Sequence, residues 1–415
     1  MEPTTIILAL AVLFGLYMAW NIGANDVANA MGTSVGSHAL TIRQALFVAA
    51  IFEFAGAFLV GGEVTETIQK GIIDPTIFAD DPMTLAVGML SALLASALWL
   101  QLATMKGLPV STTHAIVGAM IGFGVTTAGF GSVSWGRLGG IVASWFVSPV
   151  CGGIVAFAIF FVVRRFILDA EHPLRRTRLL SPFLLFVVGS TLMLVLLFKG
   201  LKNLKLELGV VETVLACAAF GGVLALSAVV LLRRLDASEV ARSEAHRRVE
   251  KVFAWLQVIT ACFMAFAHGS NDVANAVGPL AGVVTIADGG SIAAKTGVPT
   301  WVLALGGVGI VVGLATYGAR VIETVGKNIT EMTPTRGFAA EFGAALTILI
   351  GSQLGLPLST THILVGAVIG VGFARGIAAL NLRVIRSVAT SWVITVPATA
   401  IVASILYWPL RWLLL

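Results

Sequence analysis

The chain has 415 residues, of which 58% are hydrophobic and only 11% charged, with a mean hydropathy of +0.97. An average soluble domain is roughly a quarter charged, so this composition excludes a water-soluble globular protein. The formal net charge of +5 is spread between apolar segments, which fits loop asymmetry across a bilayer and gives no expectation of nucleic acid as a partner.

In chain order, the first apolar run, 5–22, follows Met-Glu-Pro-Thr-Thr, which lacks the basic start of a signal peptide, so a retained helix is expected. The run leads into Gly23-Ala24-Asn25-Asp26-Val27-Ala28-Asn29-Ala30. Gly23 is expected to break the helix and Asn25 or Asp26 to cap a new segment, with Asn29 one turn on. A carboxylate at membrane depth costs at least about 2.5–3.5 kcal/mol unless it is paired. Asp26, Asn29 and unwound carbonyls together offer only oxygen, which suits a hard cation such as sodium; the other reading is a pair of buried structural polar groups. The runs 44–62 and 83–103 follow, the first carrying Glu53, an intramembrane acid and so a candidate for gating or coupling.

Next comes Leu108-Pro109-Val110-Ser111-Thr112-Thr113-His114. Proline ends one helix and Ser-Thr-Thr opens another, leaving free N–H groups and three hydroxyls at a helix N-terminus, a ready anion site. An ordinary N-cap, with His114 bonded to a carbonyl, is the alternative. The run it opens, 111–126, is short for a span of about 20 residues. Further spans are expected at 137–163, 181–199 and 210–232, and the polar stretch 233–252 is the boundary between halves. Cys151, Cys217 and Cys262 lie singly in apolar runs and define neither a disulfide framework nor a metal site.

The second half repeats the first. The run 253–268 ends in His268 and leads into Gly269-Ser270-Asn271-Asp272-Val273-Ala274-Asn275-Ala276; after spans at 300–318 and 338–354, the latter holding Glu341, comes Pro357-Leu358-Ser359-Thr360-Thr361-His362 opening the short run 359–374, and the chain closes with 384–413. Ser144-Trp145 recurs as Ser391-Trp392. Counting the short runs as crossings places an odd number of crossings between equivalent points, so the halves enter the bilayer upside down relative to one another; counted as re-entrant they would give a parallel repeat, and the distribution of basic residues favours inversion. The expected fold is an all-α polytopic membrane protein of about 12 transmembrane segments in two inverted-topology repeats, with broken helices and Ser-Thr-Thr-His half-helices. The repeats occupy 1–165 and 253–415, with a connecting helix pair at 166–232 and a short cytoplasmic linker at 233–252. Arg43, Lys106, the basic clusters at 164–178 and 233–251, and Arg320, Lys327, Arg336, Arg375, Arg383 and Arg386 then share one side, which places both termini outside the cell membrane.

Neither Gly-x-Ser-x-Gly, a P-loop nor His-Glu-x-x-His occurs, so no enzyme is expected, and any transport must be driven by an ion gradient. His268 has no counterpart in the first half; a role in gating, coupling or proton handling stands beside a structural one.

The doubled Asn-Asp-Val-Ala-Asn-Ala and Ser-Thr-Thr-His motifs, with Ile51-Phe52-Glu53 and the stretch from Glu66 to Asp74, resemble the inorganic phosphate transporter (PiT) family across the whole chain except 165–250. The wording Gly-Ala-Asn-Asp-Val-Ala-Asn is similar to the branch that couples phosphate to sodium, where the proton-coupled branch reads more like Gly-Phe-His-Asp. The resemblance implies a sodium-coupled phosphate symporter working by an elevator-like alternating access, in a homodimer, with no cofactor beyond sodium as coupling ion. It implies sodium at Asp26, Asn29, Asp272 and Asn275, and phosphate among Asn25, Ser111, Thr112, Thr113, Asn271, Ser359, Thr360 and Thr361. A proton-coupled phosphate or sulfate permease of the same family is the alternative; a non-transporting receptor and a channel are weaker ones. The linker is short where some relatives carry a long cytoplasmic domain.

Overall fold

The computed structural model describes residues 3–62, 64–65, 71–197, 208–233, 240–289, 298–328, 331–376 and 381–415. Glu66, Thr67, Ile68, Gln69 and Lys70 of the family-like stretch, residues 234–239 of the linker, and the side chains of Arg320, Lys327 and Arg383 lie outside the described residues.

The described residues are helical throughout, apart from short turns and one isolated bridge between Ile73 and Val133. The first half holds α1 (Pro3–Gly36), α2 (Ile42–Val60), α3 (Pro82–Met105), α4 (Thr112–Ala128) and α5 (Trp135–Val163). The connecting pair is α6 (Pro173–Val195) and α7 (Val210–Leu232). The second half holds α8 (Arg242–Asp272), α9 (Ala274–Ala287), α10 (Thr300–Asn328), α11 (Pro334–Gln353), α12 (Thr360–Phe373) and α13 (Leu382–Leu414). Among the described residues, nine helices are long and apolar enough to cross a membrane, and the Thr360–Arg375 run is apolar but shorter.

Local chemistry sets the helix starts. Thr41 forms a capping box with Gln44 ahead of α2, and Asp81 accepts the Thr84 N–H ahead of Pro82, whose missing N–H is no loss at the first helical position. Ser111 and Ser359 cap α4 and α12 in the same way, through the N–H groups of His114 and His362.

Two expected breaks fall elsewhere. Gly23 does not interrupt α1, which runs unbroken through Asn25, Asp26 and Asn29. In the second copy the break comes at Val273, so Asp272 ends α8 and does not cap a new helix after Gly269. Both glycines serve close packing: a Cβ on Gly23 would collide with the Ile310 carbonyl of α10, and one on Gly269 with the Glu53 carbonyl of α2. Small residues that let backbones touch are the usual means of helix association in a bilayer.

The packing exchanges partners between the halves. α1 lies along α10 and α8 along α2; α4 packs on α13 and α12 on α5. Each contact between a first-half helix and a second-half helix thus has a reciprocal one between their counterparts. The connecting pair α6–α7 packs mainly on itself, and α7 presents exposed apolar residues such as Val211, Val214 and Leu215, as lipid contact requires.

Candidate anion and cation site

The tips of α4 and α12 meet: the His114 and His362 rings lie 4.4 Å apart, centre to centre. Asn29 donates to Thr361 Oγ1 at 2.8 Å, and its counterpart Asn275 donates to Thr112 Oγ1 at 3.1 Å and Thr113 Oγ1 at 3.2 Å. Thr113 Oγ1 donates to the Leu358 carbonyl at 2.9 Å, and Thr361 Oγ1 reaches the Val110 carbonyl at 3.5 Å. Behind them, His114 Nδ1 faces the Trp392 carbonyl at 3.4 Å and His362 Nδ1 the Trp145 carbonyl at 3.2 Å. That is the carbonyl-bonded role expected for these histidines, here made across the halves. All six hydroxyl residues of the tips are buried. Because Thr112 and Thr113, like Thr360 and Thr361, occupy first helical turns, their N–H groups have no partner inside the helix.

Asn25 and Asn271 hold the loops that lead into the tips. Asn25 Nδ2 donates to Thr104 Oγ1 at 2.9 Å and to the Leu108 carbonyl at 3.1 Å, while its oxygen accepts the Val110 N–H at 3.3 Å. Asn271 meets Ser352 Oγ at 2.8 Å, and with its amide turned so that the oxygen accepts that hydroxyl, its nitrogen donates to the Leu358 carbonyl at 3.2 Å and to Asp272 at 3.0 Å. Thr104 and Ser352, equivalent positions in the two halves, are partners that single-sequence reasoning did not name.

The acids lie beside the tips. Asp272 Oδ2 accepts from Thr360 Oγ1 at 2.6 Å and stands 2.8 Å from His268 Nε2. Asp26, its counterpart, has no donor in hydrogen-bonding geometry on either oxygen, although the Thr112 hydroxyl faces it. Ligand atoms of Asp26, His268 and Asp272 all lie within 4.8 Å of one another. On its other side His268 Nδ1 is 3.3 Å from Glu53 Oε1, and neither ring N–H points along the line to its oxygen. The buried polar set among the described residues contains four carboxylates, Asp26, Glu53, Asp272 and Glu341, but no lysine or arginine. Buried charges are paired or hold ions; here one imidazole faces three acids.

Glu341 stands apart from that group in a cage of neutral donors. Thr33 Oγ1 and Ser34 Oγ each donate to Oε1 at 2.6 Å, Gln257 Nε2 does so at 3.1 Å, and Thr260 Oγ1 donates to Oε2 at 2.8 Å. The sequence reading missed these four partners. A signal was present on α1, where Asn21, Asn25, Asn29 and Thr33 recur every four residues and Ser37 follows in the turn just beyond, all of them buried; a polar stripe at helical period inside an apolar run marks a face turned to other polar groups.

The site therefore joins two helix N-termini rich in hydroxyl and N–H donors to a carboxylate pair short of cationic partners, all enclosed by membrane helices. Residues 22–403 match the family described as "Phosphate transporter family". The chain belongs to the phosphate transporter family. It is thus a multi-pass membrane transporter and no enzyme. It is 49% identical over 407 residues to a Haemophilus influenzae protein bearing the name of a phosphate permease, covering 97% of this chain and 96% of that one. It is 45% identical over 416 residues to "Inorganic phosphate transporter 2-1, chloroplastic" of Arabidopsis thaliana, covering 96% of this chain and 71% of that one. A solved structure described as "The sodium-dependent phosphate transporter" superposes with a TM-score of 0.90 at 41% identity, covering 98% of this chain and 99% of the other.

Proposed function

We propose that this transporter is a sodium-coupled phosphate symporter that takes up inorganic phosphate by alternating access. The observation that carries the proposal is the pairing of Asp26 and Asp272 within 4.8 Å beside the two Ser-Thr-Thr tips, with no buried lysine or arginine among the described residues. Left alone, two carboxylates would repel a phosphate dianion. Sodium ions held by Asp26, Asn29, Asp272 and Asn275 would neutralise them and complete the anion's surroundings.

Asn25 and Asn271 are engaged by loop backbone, so they position the tips, and the phosphate oxygens take their donors from Ser111, Thr112, Thr113, Ser359, Thr360 and Thr361 and the first-turn N–H groups. Two helix N-termini approaching from opposite sides favour a tetrahedral oxyanion, and donors without a fixed cation allow it to leave again. Energetics require the cations. Bringing a dianion into a cell at −100 mV costs about 4.6 kcal/mol, twice the roughly 2.3 kcal/mol per charge. Two sodium ions cancel that charge, and a third makes uptake electrogenic.

Exchanged packing supports inverted repeats at 1–165 and 253–415; with the short helices α4 and α12 counted as crossings, an odd number separates equivalent segments and the termini lie outside, the arrangement in which rocking or sliding of one unit about a central site gives alternating access. An elevator-like movement and a homodimer belong to the same proposal, and its sodium coupling draws further support from the sodium dependence of the structural neighbour.

The test is uptake of labelled phosphate into proteoliposomes with an inward sodium gradient, against the same gradient of choline. Sodium-independent uptake would sink the coupling. One observation favours a second reading: His268 between Glu53 and Asp272 is a chain along which a proton can pass, as a proton-coupled phosphate or sulfate permease needs. Uptake driven by a pH gradient without sodium, or halted by excess sulfate, would select it.

A further inference from the structure

At the basic end of α5 the last turn widens into a π-helical turn, Arg164–Leu168, before the chain doubles back into α6 at Pro173. Such insertions are uncommon and are often found at functional sites. Here the turn separates two adjacent arginines. Arg164 is engaged, donating to the Ala374 carbonyl at 2.7 Å and pairing with Asp169 at 3.3 Å. Arg165 is turned into a cavity of about 550 Å³ between the π turn and α6. Arg175 and Arg176, in the first turn of α6, line the same cavity, with His172 beside them and Glu171 as the one acid. Arg176 N–H donates to the His172 carbonyl at 3.1 Å, but no side-chain hydrogen bond or ion pair joins the guanidinium groups of Arg165, Arg175 or Arg176 to another described residue, whereas that of Arg164 is held.

Two physical facts call for an anion there. Three guanidinium groups around one space repel each other, and two of them stand at a helix N-terminus, where the dipole disfavours positive charge. The cavity wall is also amphipathic: Phe166 and Leu179, which line it, are 53% and 66% exposed, and they continue the outward apolar faces of α5 and α6. The volume lies within the range of roughly 300–1,000 Å³ usual for small-molecule pockets. A planar, five-donor guanidinium is the side chain best matched to a phosphate group.

We infer that this cavity binds the phosphate headgroup of an anionic lipid from the leaflet that the basic loops face, with its acyl chains lying along Phe166 and Leu179. Arginines near an anionic surface contribute about 1 kcal/mol each, so loss of all three is expected to weaken binding about 100-fold.

The test uses the full chain in detergent, measuring thermal unfolding while phosphatidylglycerol, phosphatidylcholine or inorganic phosphate is titrated in. Three proteins are compared: wild type, R165Q/R175Q/R176Q, and the control R178Q/R233Q/K251Q, which removes equal charge from exposed positions outside the cavity. Phosphatidylglycerol is expected to raise the midpoint of wild type and control at low lipid, and that of the triple cavity variant only at about 100-fold higher lipid. Phosphate uptake in phosphatidylcholine vesicles is expected to be equal in all three. Equal stabilisation by phosphatidylcholine, an undiminished response in the cavity variant, or an equal loss in the control overturns the inference. Inorganic phosphate reproducing the cavity-dependent increment also overturns it, by assigning the site to the free anion. If the triple variant does not fold, R175Q alone is read for a shift of about fivefold in the lipid titration, and an unshifted titration overturns the inference.

Discussion

Asp26→Asn separates the two jobs that a carboxylate pair performs. Asp26, His268 and Asp272 have ligand atoms within 4.8 Å of one another, and at that distance one unit charge acts on another with about 3.5 kcal/mol at an effective dielectric of roughly 20. For a sodium ion in the cluster, loss of one carboxylate removes attraction of that order, a weakening of about 300-fold at 1.36 kcal/mol per decade. In the sodium-free protein the same substitution removes repulsion between Asp26 and Asp272. It costs little hydrogen bonding, because neither Asp26 oxygen has a donor in good geometry and the Thr112 hydroxyl that faces it can bond an amide oxygen as well. D26N is therefore expected to unfold no earlier than wild type in choline chloride, to lose the stabilisation that sodium gives wild type, and to need far more sodium for phosphate uptake. Asp272→Asn differs, because Asp272 accepts from Thr360 and neighbours His268; that variant is expected to be less stable in either salt. Thermal unfolding in paired sodium and choline buffers, with uptake measured alongside, gives the answer. Sodium stabilisation retained by D26N, or a choline midpoint lowered as far as in D272N, would refute the electrostatic reasoning.

Other expectations follow from single contacts. Gly23→Ala and Gly269→Ala each drive a methyl group into a backbone carbonyl of a neighbouring helix; overpacking of this kind costs about 1–3 kcal/mol, read as a lowered unfolding midpoint with poor recovery of folded protein, while alanine at the open Gly139 changes neither. Thr361→Val removes the acceptor for Asn29 and the donor to Val110. Combined with Asn29→Ala in a double-mutant cycle it should show coupling of about 1 kcal/mol in stability, and the single variant should raise the phosphate KM; additive effects would argue against the contact. Thr33→Ala or Ser34→Val strips one donor from Glu341. Leaving a buried carboxylate short of a partner costs about 1–3 kcal/mol or more, so each is expected to destabilise the protein, and Glu341→Gln in the Ser34→Val background to recover part of the loss. An unchanged unfolding midpoint in both single variants would show that the cage does not hold an ionised carboxylate.

Much of this protein can be read directly from its residues. The scarcity of charge dictates a bilayer as solvent. The apolar runs mark where the helices lie, since each span must satisfy its backbone internally, although α1, α6, α8 and α10 run two to four turns beyond them, and the doubled Asn-Asp and Ser-Thr-Thr motifs flag the polar groups that an apolar environment tolerates only for cause. The serine caps of α4 and α12 follow from local sequence alone, because a cap involves residues three apart. What lies across the molecule does not. A helical period reports which face of a segment is polar but not which segment it faces, so the stripe from Asn21 to Ser37 could not name Glu341 as the partner of Thr33 and Ser34, nor could Asn29 name Thr361. Glycine carries the same ambiguity: Gly23 and Gly269 suit a broken helix or a close crossing equally well, and only the neighbouring carbonyls of Ile310 and Glu53 decide for the crossing. His268 gains its meaning in the same way, from Glu53 on another helix. Covalent neighbours set the local chemistry of each half; the exchange of helices between halves, where groups some 250 residues apart share one low-dielectric space, sets which of them act together.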